Sequence, residues 1–203
     1  MDAAERPDDT AKVVLDAVCR QLWQADEGML RIADVCAETD LSSSVIYNHF
    51  RSRQGLIDAA YLQIYRQMTA DLLVLITRLL ADVTSNEGLR HVIQSEADDP
   101  ERHRSWMRSR HMRLRITTAA LARESLQSHF GPLQQKYLDG LAALFVDLQQ
   151  RGVVGDLLNS RQLALAFEGA LLFHSFNDIA LRPVDNASWV QIFMTMLGSP
   201  APA

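Results

Sequence analysis

Residues 31–57 read RIADVCAETDLSSSVIYNHFRSRQGLI, and two short helices and the start of a third can be read from them. Ile32, Val35 and Cys36 recur at the i, i+3, i+4 spacing of one buried helix face. Thr39-Asp40 should stop that helix, because short polar side chains compete for the backbone's hydrogen bonds. Leu41 then packs, and Ser42 restarts the helix as an N-cap whose hydroxyl can accept from the N–H of Ser44 or Val45. Val45, Ile46 and Phe50 supply the buried side of the second helix. Ser43, Ser44, Tyr47, Asn48 and His49 are left to the outside. A surface helix kept for solubility would carry Glu and Lys, whereas hydroxyls, an amide, a phenol and an imidazole can bond phosphates and base edges in a major groove. The stretch predicts a helix-turn-helix that reads duplex DNA.

Residues 10–66 resemble the N-terminal domain of the tetracycline-repressor (TetR) family of bacterial regulators. The resemblance is carried by an aliphatic-Ser pair opening the second helix (Leu41, Ser42), an aliphatic-Tyr pair within it (Ile46, Tyr47), Phe50 closing it, and Leu56 beyond. Three positions depart from the family pattern. Asp40 stands at the turn where Gly is usual, and Asp tolerates a left-handed backbone less well than Gly but better than most residues. Val45 replaces a common Thr, and Arg31 a capping Ser or Thr. Arg53 falls where a Lys is usual. On this resemblance Ser42 belongs to the DNA-binding set; Tyr47 and His49 would meet phosphates or else pack at the helix edge, Ser43, Ser44 and Asn48 would approach base edges or else simply face solvent, and Arg53 would bind a phosphate together with nearby N–H groups or else form a surface salt bridge. Asn48 is the best candidate for base reading, since an amide can bond an adenine edge bidentately.

Outward from this motif the chain is helical nearly throughout, and the fold class expected is all-α. Residues 1–9 would be a flexible arm and 10–55 the helix-turn-helix domain, whose first helix buries Val14, Ala17, Val18 and Leu22 on one face. A long helix from Ser52 to about Asp82 joins it to a helical ligand-binding and dimerisation domain over 56–198, with a loose tail at 199–203. Ser85 should cap a helix from Asn86, and Pro100 should open the next at its first turn. Gly131-Pro132 should interrupt the chain, and Gly152 to Asp156 should turn it into a helix from Ser160 to about Leu181. A short helix is expected over 188–197.

Two apolar stripes stand out in the C-terminal part. One runs through Leu133, Tyr137, Leu141, Leu144, Phe145 and Leu148, the other through Leu163, Phe167, Ala170, Leu171 and His174. From the residues alone they could form an intrachain core or a surface shared with a second copy. The TetR resemblance implies the latter, with Leu141, Phe145, Leu148, Phe167, Ala170 and Leu171 at a homodimer interface. A dimer would place two reading helices on successive major grooves, about 34–36 Å apart, and so read a palindromic operator. The resemblance also implies a cavity for a small-molecule effector. Its candidate walls are Trp106, Met107, Met112 and Phe130, with Tyr137, Phe173, His174 and Asn177.

Residues 102–115 hold six Arg and no acid. Such a run reads as a solvated face, or as guanidinium forks that hold an anionic effector such as a carboxylate or a coenzyme A thioester. With only two Lys among twenty basic residues, its Arg richness also fits a bias in genome composition. His103 and His111 are eight residues apart, too far to co-ligate a metal. No metal and no cofactor are expected.

The 203 residues suffice for one or two domains with a substantial core. Cys19 and Cys36 are too few and too far apart for a zinc module and read as reduced thiols on apolar helix faces. The polar start and the absence of an apolar run near 20 residues imply a cytoplasmic protein without a membrane partner. A net charge of −5 argues against indiscriminate nucleic-acid binding. Residues 1–66 carry seven Arg or Lys against eleven Asp or Glu, yet Leu41 to Ile57 holds Arg51 and Arg53 and no acid. No nucleophile with a base and no paired carboxylates at usable spacing suggest an enzyme. The function expected is a ligand-responsive repressor; the alternative is a TetR-like protein-interaction module that does not bind an operator.

Overall fold

The computed structural model describes residues 7–198, which form nine α-helices and one 3-10 turn without a strand. The helices are α1 (Pro7–Gln24), α2 (Ile32–Thr39), α3 (Ser43–Phe50), α4 (Arg53–Leu80) and α5 (Asn86–Asp98), then α6 (Pro100–Ala122), α7 (Glu124–Gln150), α8 (Ser160–Asp178) and α9 (Asn186–Leu197). The 3-10 turn, Glu27–Met29, lies between α1 and α2. The expected tail at 199–203 and the first six residues of the expected arm lie outside the described residues. The helix α1 is described from Pro7 onward. The arm expected over 1–9 is therefore already helical from residue 7.

Two compact units divide the chain between Gln67 and Met68, inside α4, rather than at the start of that helix. The reason is the burial of its first turns: Leu56, Ile57, Ala60, Tyr61 and Ile64 are all under 5% exposed. Gln63 donates to Asp16 at 2.8 Å, and the Cys19 thiol donates to the Ala60 carbonyl at 3.7 Å, so this part of α4 lies on α1. Burial pushes the Cys19 thiol up to about 12, with Asp16 adding to it. It is an inert, unionised packing group. The expected α1 face is filled as read, with Val14, Ala17, Val18 and Leu22 at 1% exposure or less. Each side chain of this size contributes roughly 1.5–3 kcal/mol by leaving water.

In the second unit α7 and α8 pack along their length, and α5 lies antiparallel to α9. Asn86, at the start of α5, donates to the Gly198 carbonyl at 3.4 Å, and Asn186, at the start of α9, donates to the Ala97 carbonyl at 2.7 Å. Phe145, Phe167 and Phe193 meet edge to face at centroid distances of 6.2 and 5.6 Å, which ties α7, α8 and α9 together. Arg151 donates to the carbonyls of Leu80 and Val83 at 3.2 and 2.7 Å, closing the end of α4 with a basic side chain.

Capping follows the sequence closely where a short polar side chain precedes a helix. Ser85 Oγ accepts from the Gly88 N–H, and Asp99 accepts from the N–H groups of Glu101 and Arg102, with Pro100 in the first turn of α6. The break expected at Gly131-Pro132 is absent. α7 runs through Pro132, and both residues are exposed, so a carbonyl left without its helical donor there can turn to water.

Candidate nucleic-acid interface and ligand cavity

In the first unit, α2 and α3 are joined through Asp40, whose φ of 56° and ψ of 32° are left-handed. The turn thus takes the conformation for which Gly is the usual choice. Ser42 caps α3 as expected, its hydroxyl accepting from the Val45 N–H at 3.4 Å and sharing a 2.9 Å hydrogen bond with Ser44 Oγ. Ile46 is fully buried and anchors the helix. Ser42, Ser43, Ser44, Tyr47, Asn48 and His49 are all exposed. Together they give one acid-free face of hydrogen-bonding groups. The end of α3 is closed by the Arg51 N–H, which donates to the Tyr47 carbonyl at 2.8 Å with Arg51 itself at a φ of 63°.

Gly55 makes this corner possible. A Cβ there would overlap the Phe50 carbonyl oxygen, so α4 can start beside α3 only with hydrogen at that position. Ser52 Oγ accepts from the Gly55 N–H at 3.0 Å and caps α4.

Arg53 is placed differently from its expected phosphate role. Its Nε donates to the Leu30 carbonyl at 3.0 Å and its Nη2 to the Glu27 carbonyl. The Glu27 carbonyl also accepts from the Leu30 N–H within the 3-10 turn, and a guanidinium reaching back from α4 ties that carbonyl to the one that follows the turn. Arg31 and Arg51, before α2 and after α3, are instead the exposed cations of this stretch. Glu38 of α2 is held by Gln21 at 2.8 Å and Arg20 at 2.7 Å, which keeps its carboxyl below the ordinary Glu range.

The second unit encloses a cavity of about 180 Å³ walled by α4 to α9. Its surface is apolar apart from a few groups, among them Glu96, His103, Arg110 and His174. Of the expected wall residues, Trp106 and His174 line it. Met112, Phe130 and Tyr137 are buried elsewhere in the unit, and Met107 is half-buried away from the cavity. Phe173 is 66% exposed. Asn177 holds the loop after α8, donating to the Val184 carbonyl at 2.9 Å and accepting from its N–H at 2.7 Å. Sequence reading missed Glu96, His103 and Trp189 as wall residues. The short last helix gave little reason to expect a wall, but its Trp189-Val190-Phe193 spacing was a usable signal.

Three of the six residues expected at a dimer interface are buried within the unit. Leu141, Phe145 and Leu148 are 1%, 6% and 2% exposed, and with Phe167, Ala170 and Leu171 they line the cavity. Leu141, Phe145 and Leu148, covered by their own chain, have little area to offer a partner, whereas Phe167, Ala170 and Leu171 are only half-buried. α8 is apolar on two sides, and its outer stripe carries Leu165, Phe173 and Phe176 at 63%, 66% and 62% exposure.

The arginine run is drawn partly into the core. Arg110 donates to both oxygens of Asp178, and Arg113 to both oxygens of Glu168 at 2.8 and 3.0 Å with its Cζ 4.8 Å above the Tyr137 ring. These two forks are matched by carboxylates of α8 instead of standing open for an anionic ligand. Burial pushes the Asp178 carboxyl up, but Arg110 and the imidazoles of His174 and His111 outweigh it and leave Asp178 below the usual carboxylate range. Burial first, then Arg110, lowers His174 from its ordinary value. Both imidazoles approach the Asp178 oxygens at 3.3 Å.

No family model and no curated protein matches the chain. Among solved structures, a putative TetR-family regulator from Mesorhizobium loti is 15% identical, with 95% of each chain covered and a TM-score of 0.68. A putative transcriptional regulator from Saccharomonospora viridis in complex with choline is 16% identical, covering 92% of this chain and 94% of its own, at a TM-score of 0.63. AibR in complex with isovaleryl coenzyme A and operator DNA is 15% identical, at 94% and 99% coverage and a TM-score of 0.55. The fold is that of the TetR-type transcriptional regulators, over nearly the whole chain. Among the described residues no helix is long and apolar enough to cross a membrane.

Proposed function

We propose that this chain is a ligand-responsive transcriptional regulator: a cytoplasmic repressor that binds a palindromic operator as a homodimer and is released by a small molecule. The observation that carries the reading is the exposed, acid-free face of α3, from Ser42 to His49, anchored from behind by Ile46. Neighbours of the same fold include one solved with operator DNA and a coenzyme A thioester and one solved with choline. In this reading Asn48, Ser43 and Ser44 approach base edges, and Tyr47, His49 and Ser42 approach phosphates. Arg51 and Arg31 supply exposed positive charge, beside Arg53, whose guanidinium is held in place by two backbone carbonyls. The chain acts by binding and not by catalysis.

A second copy covers the outer stripe of α8. Leu165, Phe173 and Phe176 form an exposed aromatic and aliphatic patch of the kind that marks a protein interface. The cavity of the second unit takes the effector, and α4, continuous from one unit into the other, carries the response. Ligand and operator favour different states of the dimer, so by linkage each weakens the other.

One observation favours a second reading, an interaction module without operator binding: the Arg53 guanidinium is engaged by backbone carbonyls. Fluorescence anisotropy with DNA from upstream of the chain's own gene separates the two. Specific binding that weakens steeply with salt supports the regulator; equal affinity for scrambled DNA, or none at low salt, leaves the interaction module.

A further inference from the structure

We infer that the cavity of the second unit takes a small amphiphile with an apolar tail and a protonated-amine head. This rests on the regulator reading for its biological meaning, though not for its chemistry.

The cavity has two chemically distinct ends, set by the antiparallel pairing of α5 and α9. At one end the start of α5 meets the end of α9: Asn86 bonds the carbonyls of Val153 and Gly198, and the walls are Leu80, Leu89, Leu148 and Leu197. None of these side chains can hydrogen-bond. At the other end the close of α5 meets the start of α9 through Asn186 and Ala97, and the wall carries Glu96, His103, Trp106, His174 and Trp189.

At the polar end one acceptor, Glu96 Oε2, lacks a donor. Glu96 Oε2 is buried and has no hydrogen-bond partner; the nearest cation, Arg102 Nε, is 3.8 Å away on a half-exposed side chain, beyond hydrogen-bonding distance. A buried carboxylate oxygen left so is costly, and a turn of the Glu96 side chain that brings it to a ligand N–H in the cavity gains a charge-assisted bond. His174 Nδ1 lies 3.3 Å from Asp178 Oδ1 and, like Glu96 Oε2, is buried without a hydrogen-bond partner. The Asn186 amide is engaged by Ala97. Arg110 also lines the cavity, but its charge is matched by the two-oxygen contact with Asp178. Trp106 and Trp189 offer indole rings, the best aromatic partners for a cation. A carboxylate head would meet Glu96 as a like charge, and an alcohol would bond it without adding to the charge balance that Arg102 gives only from 3.8 Å. The ammonium does both.

Calorimetric titration of the purified chain at pH 7 with hexylamine, 1-hexanol and hexanoate holds the tail constant and varies the head. Hexylammonium should bind about tenfold more tightly than hexanol, and hexanoate more weakly than either. Glu96→Gln keeps the side-chain shape and should remove the ammonium preference while leaving hexanol affinity unchanged, with circular dichroism confirming the fold. The proposal is overturned by hexanoate binding as well as hexylammonium, by no measurable hexylammonium binding, or by an unchanged preference in Glu96→Gln. Anisotropy with upstream DNA reports separately: operator binding without amine preference removes only this inference, and amine preference without operator binding removes only the regulator.

Discussion

Arg110 of α6 donates from Nη2 to both carboxylate oxygens of Asp178 at the end of α8, at 2.7 and 2.9 Å, with the two side chains 7% and 3% exposed. A pair this buried is costly to break from one side, because the remaining charge has no water to replace its partner. Asp178→Asn should destabilise the second unit by about 3–5 kcal/mol. The double change Arg110→Met with Asp178→Leu should recover most of that. Urea denaturation midpoints of the three proteins decide it, and a double variant as unstable as the single one contradicts the argument.

His174 gives the pH dependence. Its folded value lies below its ordinary one through burial and the nearby Arg110, so below about pH 6.5 the unfolded chain binds a proton that the folded chain resists. Stability should therefore rise with pH through that range and fall as the solution is acidified from pH 7 towards 5. Asp178, lowered in the folded state, adds a loss only when pH falls through the acidic carboxylate range. Melting temperatures should drop less over pH 7 to 5 in His174→Gln than in the parent chain.

Gly55→Ala tests the corner between α3 and α4. The added methyl meets a backbone carbonyl, that of Phe50, which cannot swing aside as a side-chain tip can. A loss of about 1–3 kcal/mol is expected, and it should appear in the first unit. Hydrogen exchange should speed up at amides of α2 and α3 while those of α7 and α8 hold their protection.

Asn48→Ala should weaken binding to the preferred DNA by about 1–3 kcal/mol and flatten the discrimination at a single base pair. Arg51→Ala should instead weaken binding to all sequences and reduce the salt slope by about one. Anisotropy against a set of singly substituted sites distinguishes these patterns. Base preference untouched by Asn48→Ala removes it as the reader.

If a second copy covers the outer stripe of α8, Phe176→Asp should leave the chain monomeric. The side chain is 62% exposed in the single chain, so the change leaves the intrachain core alone. Sedimentation should show the variant as a monomer with an unaltered circular dichroism spectrum, whereas a persistent dimer would move the interface away from α8.

Much of the fold was legible because local chemistry announces helix ends. Ser42, Ser85 and Pro100 stand where the structure starts α3, α5 and α6, and Asp40 stands at a left-handed turn. Pro132 misled, since a proline on an exposed helix position need not end the helix when water takes the freed carbonyl. The site was less readable. Arg53 carries a charge that suggests phosphate, and only three-dimensional proximity shows that the carbonyls of Glu27 and Leu30 reach it first. In α8 the periodicity of Leu163, Phe167 and Ala170 is real, but a helix apolar on two sides does not say which side turns inward. Single positions could not show that Arg110 and Arg113 meet Asp178 and Glu168, because those partners lie 68 and 55 residues away in sequence.

The two-sidedness of α8 constrains how this unit can move. Phe167 and His174 face the cavity, whereas Leu165 and Phe176 face out, and all four are fixed to one rod less than twenty residues long. A rod cannot roll on one side only. A guest that turned α8 as a body would carry the outer side chains through the same angle, so filling the hollow and fitting a second copy against α8 would then share a single mechanical degree of freedom.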